Sequence, residues 1–559
     1  MENEKIIANP LSNADIANMP KDLFKEVPDR KDLHDQAFET KPVSFLRDSL
    51  NRFAKNKASI VAAVIILIIA LYAIIVPFVT PTAHVSGPDY TEGFKDTEFS
   101  NVLPYCSWFK GSGFWDGTKT ISVSENDYKT LQYDDSNYSY FVKLEDKKET
   151  SVTIGSVTKT STIYNIRIDT YAVGNKEVSL TKEEYENLKA NDVERKKQGL
   201  SSIIKPSVDV ETYLTSYKEE LEADTTIDDS IVSTIITNMR NYYNQNKRVY
   251  YKITAKTSDG KYNSNIFSPV FGEDGKPISI YKTNADGSYA EPTESGGRYK
   301  TRVDYYDYFT WKNGFEPRFV FGTNGTGQDI FLRLAKGTRF SLLLGVGISL
   351  INFIIGLIWG AISGYYGGYV DLTMERITDI ISNIPSIIIL TICSVQFNNN
   401  PNLKAAIGQS GVIVLAFLIA FVYSGWIGVA GTTRMQFYRF KGQEYVLASR
   451  TLGAKDARLI FRHILPNAIG TLVTSSVLMI PGVIFSESTL SFLGIVDFRS
   501  SNLASIGTLL SEGQAAGLQN NPHVLLFPCV IISLLMICFN LFGNGLRDAF
   551  NTSLKGAED

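Results

Sequence analysis

The chain has 559 residues, with 55 Lys+Arg against 58 Asp+Glu and a formal net charge of −3. That balance argues against a nucleic-acid binder, which carries a basic excess or a basic patch. Uncharged apolar runs alternate with one long stretch dense in Lys, Glu, Asp and Tyr, which excludes a single soluble globule.

Six apolar runs approach the roughly 20 residues needed to cross about 30 Å of hydrocarbon. They lie at 58–80, 340–363, 377–397, 411–430, 465–485 and 524–545. The run at 377–397 is the weakest, because Asp379 and Asn383 sit near its start. The first run is too long for a signal-peptide core and has no small-residue cleavage site after it. Lys41, Arg47, Arg52, Lys55 and Lys57 precede it against the single acid Asp48, so that end is expected inside. Alternation then puts 81–339 outside and 431–464 inside. The latter loop carries Arg434, Arg439, Lys441, Arg450, Lys455, Arg458 and Arg462, which agrees. The loop 486–523 has one base, Arg499. Arg333, Lys336 and Arg339 are a local exception, left outside. Both termini are expected inside, with a cytoplasmic segment at 1–57 and a cytoplasmic tail at 553–559.

The stretch 81–311 reads as an α+β domain inserted outside the membrane. Residues 151–170 are rich in Val, Ile and Thr and partly alternate, as strands do. Thr181 and Glu184 form a capping-box pattern opening a helix. Residues 208–246 read as helical with a break near 224–229, and 249–255 and 278–281 read as strands. No GxSxG or HExxH occurs, and the insert has one histidine, His84. Trp108, Trp115 and Trp311 fit either a docking face or ordinary core and surface. Cys106, Cys393, Cys529 and Cys538 are far apart with no CxxC spacing, and His34, His84, His463 and His523 are scattered. The chain therefore offers no catalytic residues and no metal site of recognisable spacing.

The most informative segment is 444–466, EYVLASRTLGAKDARLIFRHILP. It reads as a short helix, a glycine stop, a second short helix and a proline heading the next span. Gly453 suits the left-handed position that ends a helix, and Pro466 is tolerated in a first turn. Val446, Leu447, Leu452, Leu459 and Ile460 lie among bases. That fits a helix entering a groove on a partner, or an amphipathic loop on anionic lipid.

This loop resembles the EAA motif of ABC importer permeases. Ala448, Ser449, Gly453, Leu465 and Pro466 fall at its spacing, while Leu447, Ser449 and His463 stand where the motif has Glu, Ala and Ile. The string as a whole is similar to the peptide-importer branch. Residues 321–329 (FGTNGTGQD), 364–371 (GYYGGYVD), 490–494 (LSFLG) and 540–548 (NLFGNGLRD) resemble that branch in order along 312–552. Asn324 and Gln328 replace an Asp and an Arg of its pattern. The chain is thus similar to the OppC/DppC type of permease subunit, with an unusually large insert.

The resemblance implies an all-α polytopic membrane protein with six transmembrane helices, the type I ABC importer permease fold. Helices 2–6 would occupy 312–552 with a coupling loop at 431–464. It implies a bacterial cell-membrane location and import of oligopeptides or dipeptides. It further implies a heterodimer with an OppB-type permease, two OppD/OppF-like ATPase subunits and an extracytoplasmic peptide-binding protein. The chain has no GxxxxGK[ST] loop, so ATP and Mg would be used by the partners and no cofactor by this chain. Glu444, Leu447, Ala448, Ser449, Gly453, Ala454, His463, Leu465 and Pro466 would couple it to the ATPases. Asp379 and Asn383 are candidates for lining the path, or are interfacial; Pro385 is a candidate beside the path, where it and Pro481 would kink their spans, or the kinks are merely structural. The glycines Gly345, Gly347, Gly356, Gly360 and Gly364 suit close helix packing or ordinary membrane-helix tolerance. The insert would dock the binding protein or shape an entrance vestibule.

Overall fold

The computed structural model describes residues 45–80, 96–496, 498 and 503–550, less 125–126, 129–130, 155–156, 225–226, 247 and 258–259. The segment up to 44, His84 with the rest of 81–95, Arg499 and the tail from 551 lie outside the described residues.

Helix α1 (Phe45–Lys55) leads into α2 (Lys57–Val79). Between them Asn56 is extended, and its side-chain oxygen accepts the Ser59 N–H at 3.2 Å, which restarts the helix. α2 is apolar all round, the pattern of a membrane span. It buries Ile69 against Ile484, Leu535 and Phe539.

The insert follows. Strand β1 (Thr118–Ser124) and the hairpin β2 (Phe141–Ile154) and β3 (Val157–Asp169) form an antiparallel sheet with β3 in the middle. Alternation along β3 buries Tyr164, Ile166 and Ile168. β4 (Asn175–Thr181) runs into α3 (Lys182–Lys197) through the expected capping box. Thr181 Oγ1 accepts the Glu184 N–H at 3.2 Å, and the Glu184 carboxylate accepts the Thr181 N–H at 2.9 Å. After β5 (Ile204–Lys205) come α4 (Val210–Ala223) and α5 (Asp229–Gln245), separated where expected. They bury Leu214, Leu221, Ile235 and Met239 on Tyr251 and Ile253.

The strands expected at 249–255 and 278–281 shrink to β6 (Ile253–Thr254), β7 (Ser268–Pro269) and single bridges such as Tyr251 with Ser279. Val249, Tyr251, Ile253 and Ala255 do alternate inward. Their backbone partners, however, are split between 278–280 on one side and 263–270 on the other, so no long ladder forms. β8 (Thr293–Ser295) and β9 (Arg298–Asp304) complete a sheet in which β9 pairs with β4, β5 and β8.

Helix α6 (Tyr305–Asn313) corrects the boundary expected at 311, because it runs across it. Phe309, Phe315 and Phe319 pack with Phe99, Tyr171 and Tyr306, so the insert's core extends to 319. The Arg318 guanidinium lies 4.5, 4.9 and 5.2 Å from the ring centres of Tyr105, Tyr171 and Tyr306, and 3.4 Å from the Asp169 carboxylate. A cation over aromatic faces with a paired acid keeps this seam closed.

The remaining helices are α7 (Ile330–Tyr366), α8 (Gly368–Ser382), α9 (Ser386–Asn398), α10 (Pro401–Gly425), α11 (Ile427–Lys441), α12 (Glu444–Thr451), α13 (Leu465–Phe492), α14 (Ile506–Ala516) and α15 (Pro522–Phe550). Among the described residues, five segments are long and apolar enough to cross a membrane: 57–79, 330–366, 401–441, 456–492 and 522–550. A sixth would require α8 and α9 to act as one broken span, and they are bent by 65°. The break falls at Asn383–Pro385, where proline lacks an N–H and disfavours helix at the residue before it. The run that looked weakest in sequence is therefore the one that breaks.

α7 carries 37 residues, about 55 Å at 1.5 Å per residue, and so reaches past a bilayer core. Its first turn meets Phe321 and Gly322, which follow directly on the insert's core, and its last turn touches α11. The added Cβ of an alanine at Gly356 or Gly364 would meet α11 at 2.6–2.7 Å, and Gly360 is equally crowded. Close approach thus requires this stripe of glycines. Gly345 packs on Ile484 in the same way, whereas Gly347 faces open space.

The α7 entrance carries a pH-sensitive group. Asp329 is its N-cap and accepts the Phe331 N–H at 2.9 Å. Burial pushes its carboxyl up to about 7, against the lowering effect of those backbone donors. The folded pKa lies above the unfolded one, so its contribution to stability is full below about pH 4 and is lost as pH rises through about 7. Asp329→Asn keeps a capping oxygen without the charge. We expect it to raise thermal stability above pH 7 by up to about 4 kcal/mol and to flatten the fall between pH 4 and 7. A thermal-shift series over pH on both purified chains reads this directly.

A candidate coupling elbow

Residues 444–466 form one continuous unit. α12 ends at Gly453, whose φ is +85°. The Gly453 N–H donates to Arg450 O at 2.9 Å and the Ala454 N–H to Ser449 O at 3.1 Å, the paired closure of a Schellman motif. The turn Asp456–Arg458 passes into a π-helical segment, Leu459–Ile464, and then into α13. This corrects the expected second short helix: it is the leading end of the 456–492 span and not a separate element. Pro466 sits in the first turn of α13, where its missing N–H costs nothing.

The apolar residues divide between two faces. Val446, Leu459 and Ile464 are fully buried with Tyr365 and Phe437, and Ala454, Ile460 and Leu465 pack beside them. Val446, Leu459 and Ile460 therefore hold the elbow to the protein's own body, which corrects their reading as partner contacts. Leu447 (45% exposed), Leu452 (88%) and Phe461 (68%) point away, beside exposed Glu444, Ala448, Gly453, Arg450 and Arg462. Ser449 donates to Tyr445 O at 2.9 Å, and His463 is half-buried with its carbonyl accepting from Asn467 at 2.7 Å.

A polar latch ties the elbow to the glycine turn after α7. Arg434 on α11 grips Asp371 on α8 with two bonds of 2.6 and 2.7 Å, and reaches Glu375 at 3.3 Å. Asp371 also accepts from Tyr438 at 2.6 Å and from Ser363. Lys441 donates to Gly364 O at 2.8 Å. Tyr365 donates to Asp456 at 2.6 Å, and Arg450 to the Tyr365 hydroxyl at 3.3 Å. Asp379, Asn383 and Pro385 are placed elsewhere, at the break between α8 and α9. Asp379 is half exposed and paired with Arg376 at 2.8 Å, and its carbonyl accepts from Asn383 at 2.6 Å.

Two polar clusters were not anticipated. Glu487, fully buried in α13, accepts from Ser341 at 2.9 Å and Ser491 at 3.0 Å. The span was drawn to end at Phe485, two residues short of it; the signal was the SESTLS run at 486–491. Arg333, the exception to the charge rule, is buried and pairs with Glu512 at 2.5 Å. Asn324 donates to Gln328 at 3.1 Å and to Glu512 at 3.0 Å. An amide pair thus fills the place of the branch's Asp and Arg.

Residues 356–556 match the family model "Binding-protein-dependent transport system inner membrane component", and residues 44–91 match "N-terminal TM domain of oligopeptide transport permease C". The oligopeptide transport system permease protein OppC of Bacillus subtilis (strain 168) is 40% identical over 235 residues, 42% of this chain and 72% of that one. The chain belongs to the OppC/DppC family of ABC-transporter permeases. The dipeptide permease protein DppC of the same organism is 38% identical, over 42% of this permease and 69% of its own length. Among solved structures, a chain of the inward-facing MetNI methionine ABC transporter aligns with 39% of the permease and 96% of itself, at 17% identity and a TM-score of 0.31. The permease family supplies transmembrane components, not enzymes. The segment 92–355, which holds all of the insert but its first residues, lies between the two family matches.

Proposed function

We propose that this chain forms half of a peptide translocation path in an ATP-driven importer, paired with an OppB-type permease. Two separate OppD/OppF-like ATPases would bind at the 444–466 elbow, and ATP and Mg would act there. An extracytoplasmic binding protein would deliver oligopeptides or dipeptides, the solutes in the names of the matched relatives. In this reading the termini and elbow are cytoplasmic, the insert is extracytoplasmic, and the broken α8–α9 pair counts as the sixth span with Asp379, Asn383 and Pro385 beside the path.

One observation carries the coupling role. The elbow exposes Leu447, Leu452 and Phe461 among arginines on a unit that runs without a break into a membrane-spanning helix. Exposed apolar residues in a basic setting suit a groove on a partner. A push on them would be transmitted along α13 as a rigid body. The insert sits at the other end of α7, which supports a docking or vestibule role for it.

A mild-detergent pull-down of the tagged chain, read by mass spectrometry, tests the assembly. Recovery of two ATPase chains and a second permease is expected. Recovery of this chain alone, under conditions that keep known importers intact, would overturn the reading.

A further inference from the structure

Loop 106–116, CSWFKGSGFWD, displays an aromatic cluster with no function in the reading above. Trp108 is 91% exposed and Phe114 63%, and Phe109 is exposed beside them. Water-facing clusters of this kind mark an interaction site. The loop is rigidly built. Asp116, itself buried, accepts the Gly113 N–H at 2.8 Å and the Thr118 N–H at 3.1 Å. Gly111 and Gly113 supply the positive φ angles that let the chain turn back. Trp115 is held at φ +55°, a conformation costly for a non-glycine residue.

What holds Trp115 places the loop. Its ring lies 5.5 Å from that of Phe527 on α15 and 6.1 Å from that of Phe321. Its Nε1–H donates to Val320 O at 2.5 Å. Phe527 is five residues into the α15 span, about 7 Å past its first residue at 1.5 Å per residue. Trp115 thus packs against the second turn of a helix long and apolar enough to cross a membrane. The cluster continues outward from it, through Phe114 at 5.7 Å to Phe109 at 5.8 Å. Beside Phe527 the same helix exposes Leu526 and Val530, and α2 exposes Phe78 and Val79 at its end. The exposed aromatics are therefore linked through Trp115 to α15, a helix long and apolar enough to cross a membrane.

We propose that this loop is a membrane anchor, with Trp108, Phe109 and Phe114 seated in the interfacial layer of the lipid bilayer at the insert's end of the protein. Trp is favoured at that depth because its ring is apolar and its N–H finds polar partners. The exposed Lys110 between them suits lipid phosphates. The anchor fixes the tilt of the insert over the mouth of the path, independently of what the insert docks.

The test places the photo-reactive aromatic benzoyl-phenylalanine at position 108 of the full chain, in membranes containing its partners and alkyne-tagged phosphatidylcholine. Irradiation is expected to give a lipid adduct at 108. The same substitution at Leu526 is expected to give one, and at exposed Tyr289, on the insert's 283–289 turn, to give none. A protein adduct at 108, to the partner permease or a binding protein, overturns the anchor in favour of docking. No adduct at 108 while 526 labels lipid also overturns it. Loss of the adduct at 526 would instead reject the membrane placement of α15 itself.

Discussion

Gly453→Trp is expected to abolish uptake while leaving membrane insertion intact. The position has φ +85°, so any other residue strains the helix stop by roughly 1–2 kcal/mol. A Cβ there meets nothing within 4 Å, and Gly453 itself is exposed, so the fold leaves the root of a side chain free. The indole would project between exposed Leu452 and the turn at Lys455, on the face left for a partner. Gly453→Ala is the internal standard: it carries the backbone strain without the bulk, and it should retain much of the uptake. Peptide uptake, ATPase stimulation and co-purification of the ATPases, measured on both variants, separate strain from obstruction. Normal uptake by the tryptophan variant would remove the elbow from the coupling mechanism.

The second large effect is at Arg434. Arg434→Ala leaves Asp371, which is buried, with only hydroxyl donors, and leaves Glu375 facing it without the shared cation. The loss should be about 3 kcal/mol, the low end for breaking a buried pair, because Arg434 is itself about a third exposed. Uptake should fall with it, since the latch joins the glycine turn to α11 next to the elbow. Arg434→Lys should restore only part, because an ammonium cannot reproduce the two-point grip. Removing both charges, in Asp371→Ala with Arg434→Ala, should be less damaging than Arg434→Ala alone. A double variant that loses as much stability in thermal unfolding as Asp371→Ala and Arg434→Ala added together would mean that the pair is not coupled.

Five of the apolar spans and the helix stop in 444–466 were legible in the sequence because both rest on local chemistry. A bilayer demands a fixed length of uncharged helix, and that length shows without any contact being known. The helix stop at Gly453, the first-turn Pro466 and the Thr181–Glu184 cap are likewise short-range, since backbone conformation and caps involve neighbours in the chain. Proline by itself does not place a break, since the chain breaks at Pro385 while Pro481 sits inside the continuous α13.

What depends on distant partners was decided only by the tertiary structure. Periodicity could not say that Val446 and Leu459 turn inward while Leu452 and Phe461 turn out, because that follows from where Tyr365 and Phe437 stand. Arg333 looked like a violation of the charge rule until Glu512, 179 positions away, was placed beside it. Glu487 lies two residues beyond the apolar run at 465–485, and only the fold brings Ser341 of α7 against it. Phe527 and Trp115 are more than 400 positions apart, yet their contact sets the height of an exposed aromatic loop. Desolvation and pairing energies depend on distance in space, and only the fold specifies those distances.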